Sequence, residues 1–357
     1  MKNLTFVICS NGYGHYKRVF KVLNEIQRRR LDLNITIICN KKNLEFIKNN
    51  FGLNIESVFF FTDLMINEPN WISLRGLTIS SYLNWVKGFK SCENINRSSL
   101  IVSDNYLAPL ISGKKCILMG SFLWHEVIKD YNQDIRKISE NEKGILKYNK
   151  PKMIVLENMF MDSLEENASL IKTSWFAERK TNLNYLKNNK ILITSGGTTH
   201  LDDIFLEIVN VISRKNQFKD FYLDSKLFKK HSMICNLNLN NVFEFNFQEK
   251  SFSMIDTIIC RPGIGILTDS MSFMIPTIVI FDDQNSEIRN NAYKIDQFGL
   301  GFKVKVNNAI LKKNDLDKIH KIINSKEKLD LCREKISKQK MNGHKVAADI
   351  IINEIVP

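Results

Sequence analysis

The sequence predicts an α/β protein made of two doubly wound, Rossmann-like domains that face each other across a cleft. The length of 357 residues favours two domains of ordinary size. Strand-like apolar runs alternate with helical patterns almost from end to end, which is typical of parallel sheets with crossover helices. This pattern restarts after a polar stretch rich in Asn and Lys near residues 180–189. In such architectures ligands bind at the carboxyl ends of the strands.

The first half contains six strand-like runs, which read LTFVIC, NITIIC, VFFF, LIVSD, KKCILMG and KMIVLEN. Helical spacing of apolar residues predicts helices at 15–30 and 42–50, and a further helix at 121–137. We therefore predict a first domain at residues 1–182.

The second half begins with a new strand, ILITSGG, which leads into the helical segment LDDIFLEIVNVISRK. Further strands are predicted at DFYLD, NVFEF, DTIIC, PTIVIF and GFKVK. The second domain is predicted at residues 183–357. Its last helix, GHKVAADIIINEIVP, starts at Gly343, and packing of this helix back on the first domain is left open.

Composition limits the classes of function. Hydrophobic residues make up 44% and charged residues 25%, the balance of a folded protein. No signal peptide or membrane-spanning run is found, so a cytoplasmic location is expected. The net charge of +13 is spread along a Lys-rich chain, and no nucleic-acid-binding motif accompanies it, so nucleic acid is not expected as a partner. The seven scattered cysteines predict buried reduced thiols and no metal site.

The first glycine loop, SNGYGH, lies between a strand and a basic amphipathic helix. Gly12 and Gly14 are expected to take positive φ there and to let a ligand approach the backbone. His15 is expected on the first helical turn, where the helix dipole disfavours imidazolium and favours a neutral imidazole that can accept a proton. A surface or capping histidine is the alternative.

Two further glycine corners follow strands in the second half. TSGGTTH, residues 194–200, offers small residues with NH and hydroxyl groups, as an anionic diphosphate requires. It is neither a Walker loop nor a complete dinucleotide fingerprint, so no redox cofactor is expected. CRPGIGILTDSM, residues 260–271, carries Asp269 on the early part of a helix, where a carboxylate could reach a ribose diol; a solvated helix residue is the alternative.

Taken together, these corners resemble the nucleotide-sugar glycosyltransferases of the GT-B fold, which include the UDP-glycosyltransferase superfamily. GYGHYKRVFKVL resembles their opening loop and helix, and SDNYLAPLISGKKCILMG resembles the segment in which an Asp ends a strand. TIICRPGIGILTDSMSFMIPTIVI is similar to the donor-site segment, and SEIRNNAYKIDQFGLG is similar to the helix that follows it. Among relatives, the sequence is most similar in character to the lipid-linked N-acetylglucosaminyltransferases that make peptidoglycan precursor.

The resemblance implies transfer of a sugar from a nucleotide-diphosphate donor, expected to be UDP-linked, to a hydroxyl acceptor. His15 would be the general base, and Asp104 would orient it, as in inverting members. No metal or other cofactor is implied. The donor-binding residues implied are Gly12, Gly14, Ser195, Gly196, Gly197, Thr198, Thr199, Arg261, Gly263, Gly265, Asp269, Gln284, Glu287 and Asn291.

The sequence also departs from the family pattern. Arg261 stands where the plant-type signature has His, and Ile266 stands close to its Ser, so the phosphate contact made there is either lost or taken over by Arg261. Asp283 and Gln284 resemble the Asp-Gln of the signature, but the Asn-Ala pair comes several residues late. These departures leave the identity of the donor open.

Several alternatives remain open at this level. A nucleotide-sugar hydrolase or epimerase of the pseudaminic acid pathway type begins with a similar loop, and a non-catalytic nucleotide-sugar sensor would share the fold. The acceptor could be a glycan, a lipid-linked sugar or a small molecule in bacterial glycan biosynthesis. The segment LTISSYLNWVKGFK mixes aromatic residues with lysines, as a helix in peripheral contact with the inner face of a membrane does; an ordinary core-packed amphipathic helix is the alternative.

Overall fold

The structure is a computed structural model of the chain. It describes residues 2–29, 32–45, 60–62, 68–127, 132–180, 189–197, 199–234, 240–307 and 310–355. The chain divides into two compact units, Met1–Ala177 with Asn342–Pro357, and Glu178–Met341. The boundary therefore falls at residues 177 and 178, and the last helix belongs to the first unit.

The first unit contains a parallel sheet whose order is β3-β2-β1-β4-β5-β6-β7 in the described part of the chain. Its strands are β1 Lys2–Val7, β2 Leu33–Ile38, β3 Phe60–Thr62, β4 Leu100–Asp104, β5 Cys116–Met119, β6 Lys152–Leu156 and β7 Ser169–Thr173. The order reverses between β1 and β4, which pair in parallel. Ligands bind at such a switch point in open α/β sheets.

Helices flank this sheet. In the described residues, those of eight or more residues are α1 Tyr13–Arg28, α2 Ile79–Ser91, α3 Gln133–Asn149 and, after the second unit, the chain-terminal helix Gly343–Ile355. Shorter turns lie at Glu93–Asn96, Ala108–Ser112, Trp124–Val127 and Leu164–Asn167. The apolar face of α1, with Val19, Phe20 and Leu23, is buried against β1 and the terminal helix.

The second unit repeats the arrangement with the order β10-β9-β8-β11-β12-β13, again parallel throughout its described strands. The strands are β8 Lys190–Thr194, β9 Asp220–Leu223, β10 Val242–Glu244, β11 Thr257–Cys260, β12 Thr277–Phe281 and β13 Gly301–Lys305. The switch point lies between β8 and β11.

The longer helices of the second unit are α4 Asp202–Lys215, α5 Ser225–Ile234, α6 Ile264–Ser272, α7 Ser286–Gln297, α8 Lys313–Ile323 and α9 Lys326–Ser337, and we number the terminal helix Gly343–Ile355 as α10. A single turn lies at Glu249–Phe252. The prediction of two doubly wound parallel α/β units is confirmed.

One predicted helix is wrong. The segment 121–137 does not form a single helix, because the turn Trp124–Val127 is followed by a separate helix, α3. The side chain of Asn132 accepts a hydrogen bond from Ile135 N at 2.9 Å and so caps the start of α3. Strand β7 was not among the predicted strands.

The aromatic helix predicted as a membrane contact is α2. Its Tyr82, Trp85 and Phe89 are buried in the core of the first unit, whereas Lys87 and Lys90 are exposed. The core-packed alternative therefore describes this helix, because its aromatic face is covered by protein. None of the helices in the described ranges is long and apolar enough to cross a membrane. A second apolar segment, ESVFFFTDLMI at residues 56–66, lies largely outside the described residues.

Candidate active site

The loop after β1 brings His15 to the switch point of the first sheet. Gly12 caps α1 with φ of +147°, a conformation that side-chain-bearing residues rarely adopt. The helix begins at Tyr13, two residues earlier than predicted, so Gly14 lies in its first turn and does not take the positive φ that was predicted for it. A side chain at Gly12 would approach Nε2 of His15, since the position of its Cβ lies 3.8 Å from that atom.

His15 and Asp104 are in direct contact, as the sequence predicts. Asp104 is the last residue of β4 and is completely buried, and its Oδ1 lies 2.5 Å from Nδ1 of His15. The imidazole is 12% exposed. With Nδ1 held by the carboxylate, Nε2 is the ring nitrogen that Asp104 does not bind.

Arg18 completes the cluster, and sequence reasoning missed it. One turn after His15 on α1, it donates from Nε and Nη2 to Oδ2 of Asp104 at 3.0 and 2.7 Å. Its Nη2 also lies 3.1 Å from Oδ1 of Asn105. The spacing of three residues between His15 and Arg18 places both on one helix face, which is the signal that would have identified it. One buried carboxylate thus binds both an imidazole and a guanidinium.

Charge sets the protonation of this cluster. Burial lowers the pKa of His15, but the charge and hydrogen bonding of Cys9 and of Asp104 raise it, and the net shift is above its ordinary 6.5. Burial raises the pKa of the Cys9 thiol beside the ring, while the charge of His15 and the hydrogen bond between the two side chains act in the opposite direction. The pKa of Asp104 is lowered, because Arg18 and His15 outweigh its burial. The dipole of α1 alone predicted a neutral imidazole; the adjacent Cys9 and Asp104 reverse that direction.

Glu68 is a second carboxylate at the same loop that the sequence did not reveal. Its Oε1 accepts hydrogen bonds from Ser10 N at 3.2 Å and from Asn11 Nδ2 at 2.5 Å, and its Oε2 accepts from the Ser10 hydroxyl. Burial raises the pKa of Glu68 to about 7, despite these hydrogen bonds. Glu68 follows a stretch without recognisable periodicity, so no pattern pointed to it.

The second glycine loop follows β8 in the other unit. Gly196 has φ of +71°, and Gly196, Gly197 and Thr199 are exposed, whereas Thr198 lies outside the described residues. Ser195 is buried: its hydroxyl donates to Asp202 at 2.6 Å, and its NH donates to Asp224 at 3.2 Å. The NH of Gly196 donates to the Thr194 hydroxyl. The loop therefore offers a diphosphate fewer free donors than predicted, because two of its NH groups and one hydroxyl are used within the unit.

Two lysines of α5 form ion pairs with an aspartate next to this loop. Lys226 and Lys230 each lie 2.8 Å from a carboxylate oxygen of Asp202, which is buried at the start of α4. Although burial raises the pKa of Asp202, these lysines and the Ser195 hydroxyl give a net lowering. Asp202 is thus an internal acceptor that fixes the loop.

The third corner, after β11, places Arg261 at the switch point. Burial lowers the pKa of Arg261, while the charges of Glu287 and Asp282 act in the opposite direction. Within the described residues the guanidinium makes no ion pair shorter than 4 Å. Gly263 caps α6, and Gly265 lies in its first turn. A partly buried cation beside two carboxylates at this edge is suited to a phosphate oxygen.

Asn291 is one of the residues that the resemblance implies in donor binding. It is fully buried, and its Nδ2 donates to the carbonyl of Pro262 at 3.0 Å, so it fixes the corner that carries Arg261. Asp269 lies in the second half of α6 and is partly buried. Gln284 lies just before α7 and is exposed, whereas Glu287 lies in the first turn of α7 and is partly buried.

A second histidine–aspartate pair lies in this unit. His200, at the end of the glycine loop, has Nε2 2.5 Å from Oδ2 of Asp282, which directly follows β12. The His200 side chain is 41% exposed and that of Asp282 is 7% exposed. Oδ1 of Asp282 accepts from the NH of Gln284 at 3.1 Å. Because β8 and β12 are not neighbours in the sheet, sequence spacing could not indicate this contact.

Metal-ligating side chains do not converge in the described part of the chain: no group of three or more His, Cys, Asp or Glu residues there could hold a metal ion.

Solved structures of GT-B glycosyltransferases match the whole chain. UGT2 of Phytolacca americana, complexed with UDP-2fluoro-glucose and pterostilbene, has a TM-score of 0.69 at 7% sequence identity, with 100% of each chain covered. CalG4, the calicheamicin glycosyltransferase, has a TM-score of 0.65 at 12% identity, with 100% of each chain covered. VinC in complex with dTDP has a TM-score of 0.60 at 11% identity, with 99% of each chain covered. In sequence, the chain matches no protein-family model and no curated protein. The GT-B fold predicted from the sequence is confirmed.

Proposed function

We propose that the protein is a glycosyltransferase that moves a sugar from a nucleotide-diphosphate donor to a hydroxyl acceptor, with inversion at the anomeric carbon. The observation that carries this proposal is the contact of His15 with Asp104 at the switch point of the first sheet. A base that is oriented by a buried carboxylate, and has one ring nitrogen that the carboxylate does not bind, is suited to activate an alcohol.

The chemical step needs only one proton acceptor. The acceptor oxygen forms a bond to the anomeric carbon as the bond from that carbon to the diphosphate oxygen breaks, and the nucleoside diphosphate leaves with the electron pair. Nε2 of His15 takes the proton of the attacking hydroxyl. Because attack and departure occur on opposite faces in a single displacement, the configuration inverts.

Asp104 and Arg18 act on the pKa of His15, the proposed base. The carboxylate raises the pKa of His15, which strengthens it as a base but also keeps it protonated at lower pH. Arg18 shares the same carboxylate and offsets part of its negative charge. Activity is therefore expected to increase with pH as His15 loses its proton.

The second unit is proposed to hold the donor at the carboxyl edge of its sheet. Arg261 and the NH of Gly197 would contact the diphosphate, with the positive end of α4 behind the loop. Asp269 would bind the ribose diol, and Gln284 and Glu287 would contact the sugar. The UDP-linked donor and metal independence remain predictions, as do the acceptor, the membrane contact and the cytoplasmic location.

The proposal is tested by a binding and product screen against a panel of nucleotide sugars. A donor that stabilises the protein and releases nucleoside diphosphate only when an alcohol acceptor is added supports transfer. Release of free sugar without acceptor would instead indicate a hydrolase that uses His15 to activate water. His320→Ala, a histidine on α8, serves as a matched control for His15→Ala. A panel in which no nucleotide stabilises the protein contradicts the donor site.

A further inference from the structure

The His200–Asp282 pair is an ionisable group at the proposed donor site for which the mechanism above has no role. His200 follows β8 and Asp282 follows β12, and in the sheet β11 lies between these two strands. Strands two positions apart are separated by about 9–10 Å, so the hydrogen bond between the two side chains spans the end of β11. Arg261 stands at that end, directly after Cys260.

The pair therefore gathers with Arg261 at one edge. The carboxylate of Asp282 holds Nε2 of the imidazole and is an electrostatic neighbour of the partly buried guanidinium of Arg261. A single buried carboxylate thus organises two groups that can carry positive charge.

The other ring nitrogen of His200 is available. Among the residues that the structure describes, Nδ1 makes no hydrogen bond, and the side chain is 41% exposed. If Nε2–H donates to Asp282, a neutral ring presents a lone pair at Nδ1, which repels a phosphate oxygen. A protonated ring presents an N–H donor there instead.

We propose that His200, oriented by Asp282, takes up a proton when the donor diphosphate binds and donates a hydrogen bond from Nδ1 to a phosphate oxygen. This inference rests on the proposed function, since it assumes that a nucleoside diphosphate occupies the edge next to Arg261. Histidine is suited to the role because its charge changes between about pH 5 and pH 8. Its positive charge would also favour the diphosphate as a leaving group, whose negative charge grows during transfer.

The surrounding charges favour this proton uptake. Arg261 carries one positive charge and has Glu287 and Asp282 as its carboxylate neighbours, while Asp202 is neutralised by lysines from α5. A bound diphosphate adds at least two negative charges to this edge, and each favours the imidazolium. On the β11 and β12 side, Asp282 and Glu287 are charged neighbours of Arg261, and Lys305 pairs with Asp283 next to Asp282. On the α4 and α5 side, Lys226 and Lys230 pair with Asp202, two residues after His200, and Asp203 is a charged neighbour of Lys230.

Calorimetric titration with UDP and with dTDP tests the inference. Each titration is run at about pH 7.5 in two buffers of different ionisation enthalpy, so that the difference in apparent heat counts the protons taken up. The wild type should take up as much as about one proton per nucleotide. His200→Gln should lose this uptake and bind about tenfold more weakly near pH 6.5, with a smaller difference near pH 8.5, because the lost hydrogen bond is charge-assisted.

Two further variants complete the test. Asp282→Asn should also reduce the uptake, since it removes the carboxylate that favours the imidazolium. His320→Gln, the same change on α8, should behave as the wild type. A proton uptake by His200→Gln equal to that of the wild type would overturn the inference while leaving the proposed function standing. Failure of both nucleotides to bind the wild type would overturn the two together.

Discussion

Nδ1 of His15 lies 2.5 Å from a completely buried carboxylate oxygen of Asp104, across the point where the strand order of the first sheet reverses. The contact joins the first turn of α1, which follows β1, to the end of β4, and these two strands pair in parallel although they are far apart in sequence. Arg18 holds the other oxygen of the same carboxylate. The protonation of His15 therefore depends on Asp104 and on Arg18, and each of these residues can be substituted separately.

Asp104→Asn removes the negative charge that raises the pKa of His15. We expect kcat/KM to fall by about a hundredfold to ten-thousandfold, because the imidazole loses its orientation and basicity. The midpoint of the rise of kcat/KM with pH should also move to lower pH. A pH–rate profile of the variant beside the wild type measures both effects, and an unchanged midpoint would contradict the assignment.

Arg18→Ala should move the same midpoint in the opposite direction. Without the guanidinium, the whole charge of Asp104 acts on His15 and raises its pKa further, so the base loses its proton only at higher pH. Arg18→Lys keeps the charge but loses the two-nitrogen contact, and it should give an intermediate profile. A downward shift in Arg18→Ala would mean that Arg18 acts on the pH profile by another route.

Glu68 gives a prediction for stability. Burial raises its pKa from 4.5 to about 7, so the folded state binds more protons than the unfolded state between these values, and its contribution to stability falls as pH rises through this window. Glu68→Gln removes this loss of stability at higher pH, because glutamine does not ionise. Relative to the wild type, the variant should gain about 1–3 kcal/mol in unfolding free energy between about pH 5 and pH 8.

Urea unfolding followed by tryptophan fluorescence measures this gain, since Trp71, Trp85, Trp124 and Trp175 all lie in the first unit. Glu140→Gln, at an exposed position on α3, is the control. The difference between its unfolding free energy and that of the wild type should not change with pH. If the unfolding free energies of the two variants depend on pH in the same way, Glu68 is ionised normally.

The attachment of the last helix depends on Gly343. Its NH donates to the carbonyl of Trp175 at 2.9 Å, and a Cβ there would overlap the backbone of Ser174. Gly343→Ala should destabilise the first unit by about 1–3 kcal/mol, because backbone must shift to admit the methyl group. Thermal unfolding read by tryptophan fluorescence checks this expectation.

Gly144→Ala is the matched control for Gly343→Ala. Gly144 lies within α3 and has open space around it, so the substitution should instead stabilise the helix by up to about 1 kcal/mol. Equal effects of the two substitutions would indicate that Gly343 is not a close contact.

Local patterns in the sequence predicted the fold, and the resemblance to GT-B glycosyltransferases implied the His15–Asp104 pair. Asp104 ends β4 and His15 lies in the first turn of α1 after β1, and parallel strands of a doubly wound sheet place their carboxyl ends at one edge. What the sequence missed depends on contacts between distant segments. Ser195 looked like a free donor, but Asp202 and Asp224 occupy its hydroxyl and NH. Asn291 matched a donor-binding position, yet it is fully buried and donates to the carbonyl of Pro262.

The measurement that tests the central claim most directly is single-turnover transfer by His15→Gln, with donor binding measured on the same preparation. If His15 is the base, the variant should bind the nucleotide sugar as the wild type does. Acceptor-dependent release of nucleoside diphosphate should be slower by about a hundredfold to ten-thousandfold. Release at the wild-type rate, with binding unchanged, would contradict the role assigned to His15.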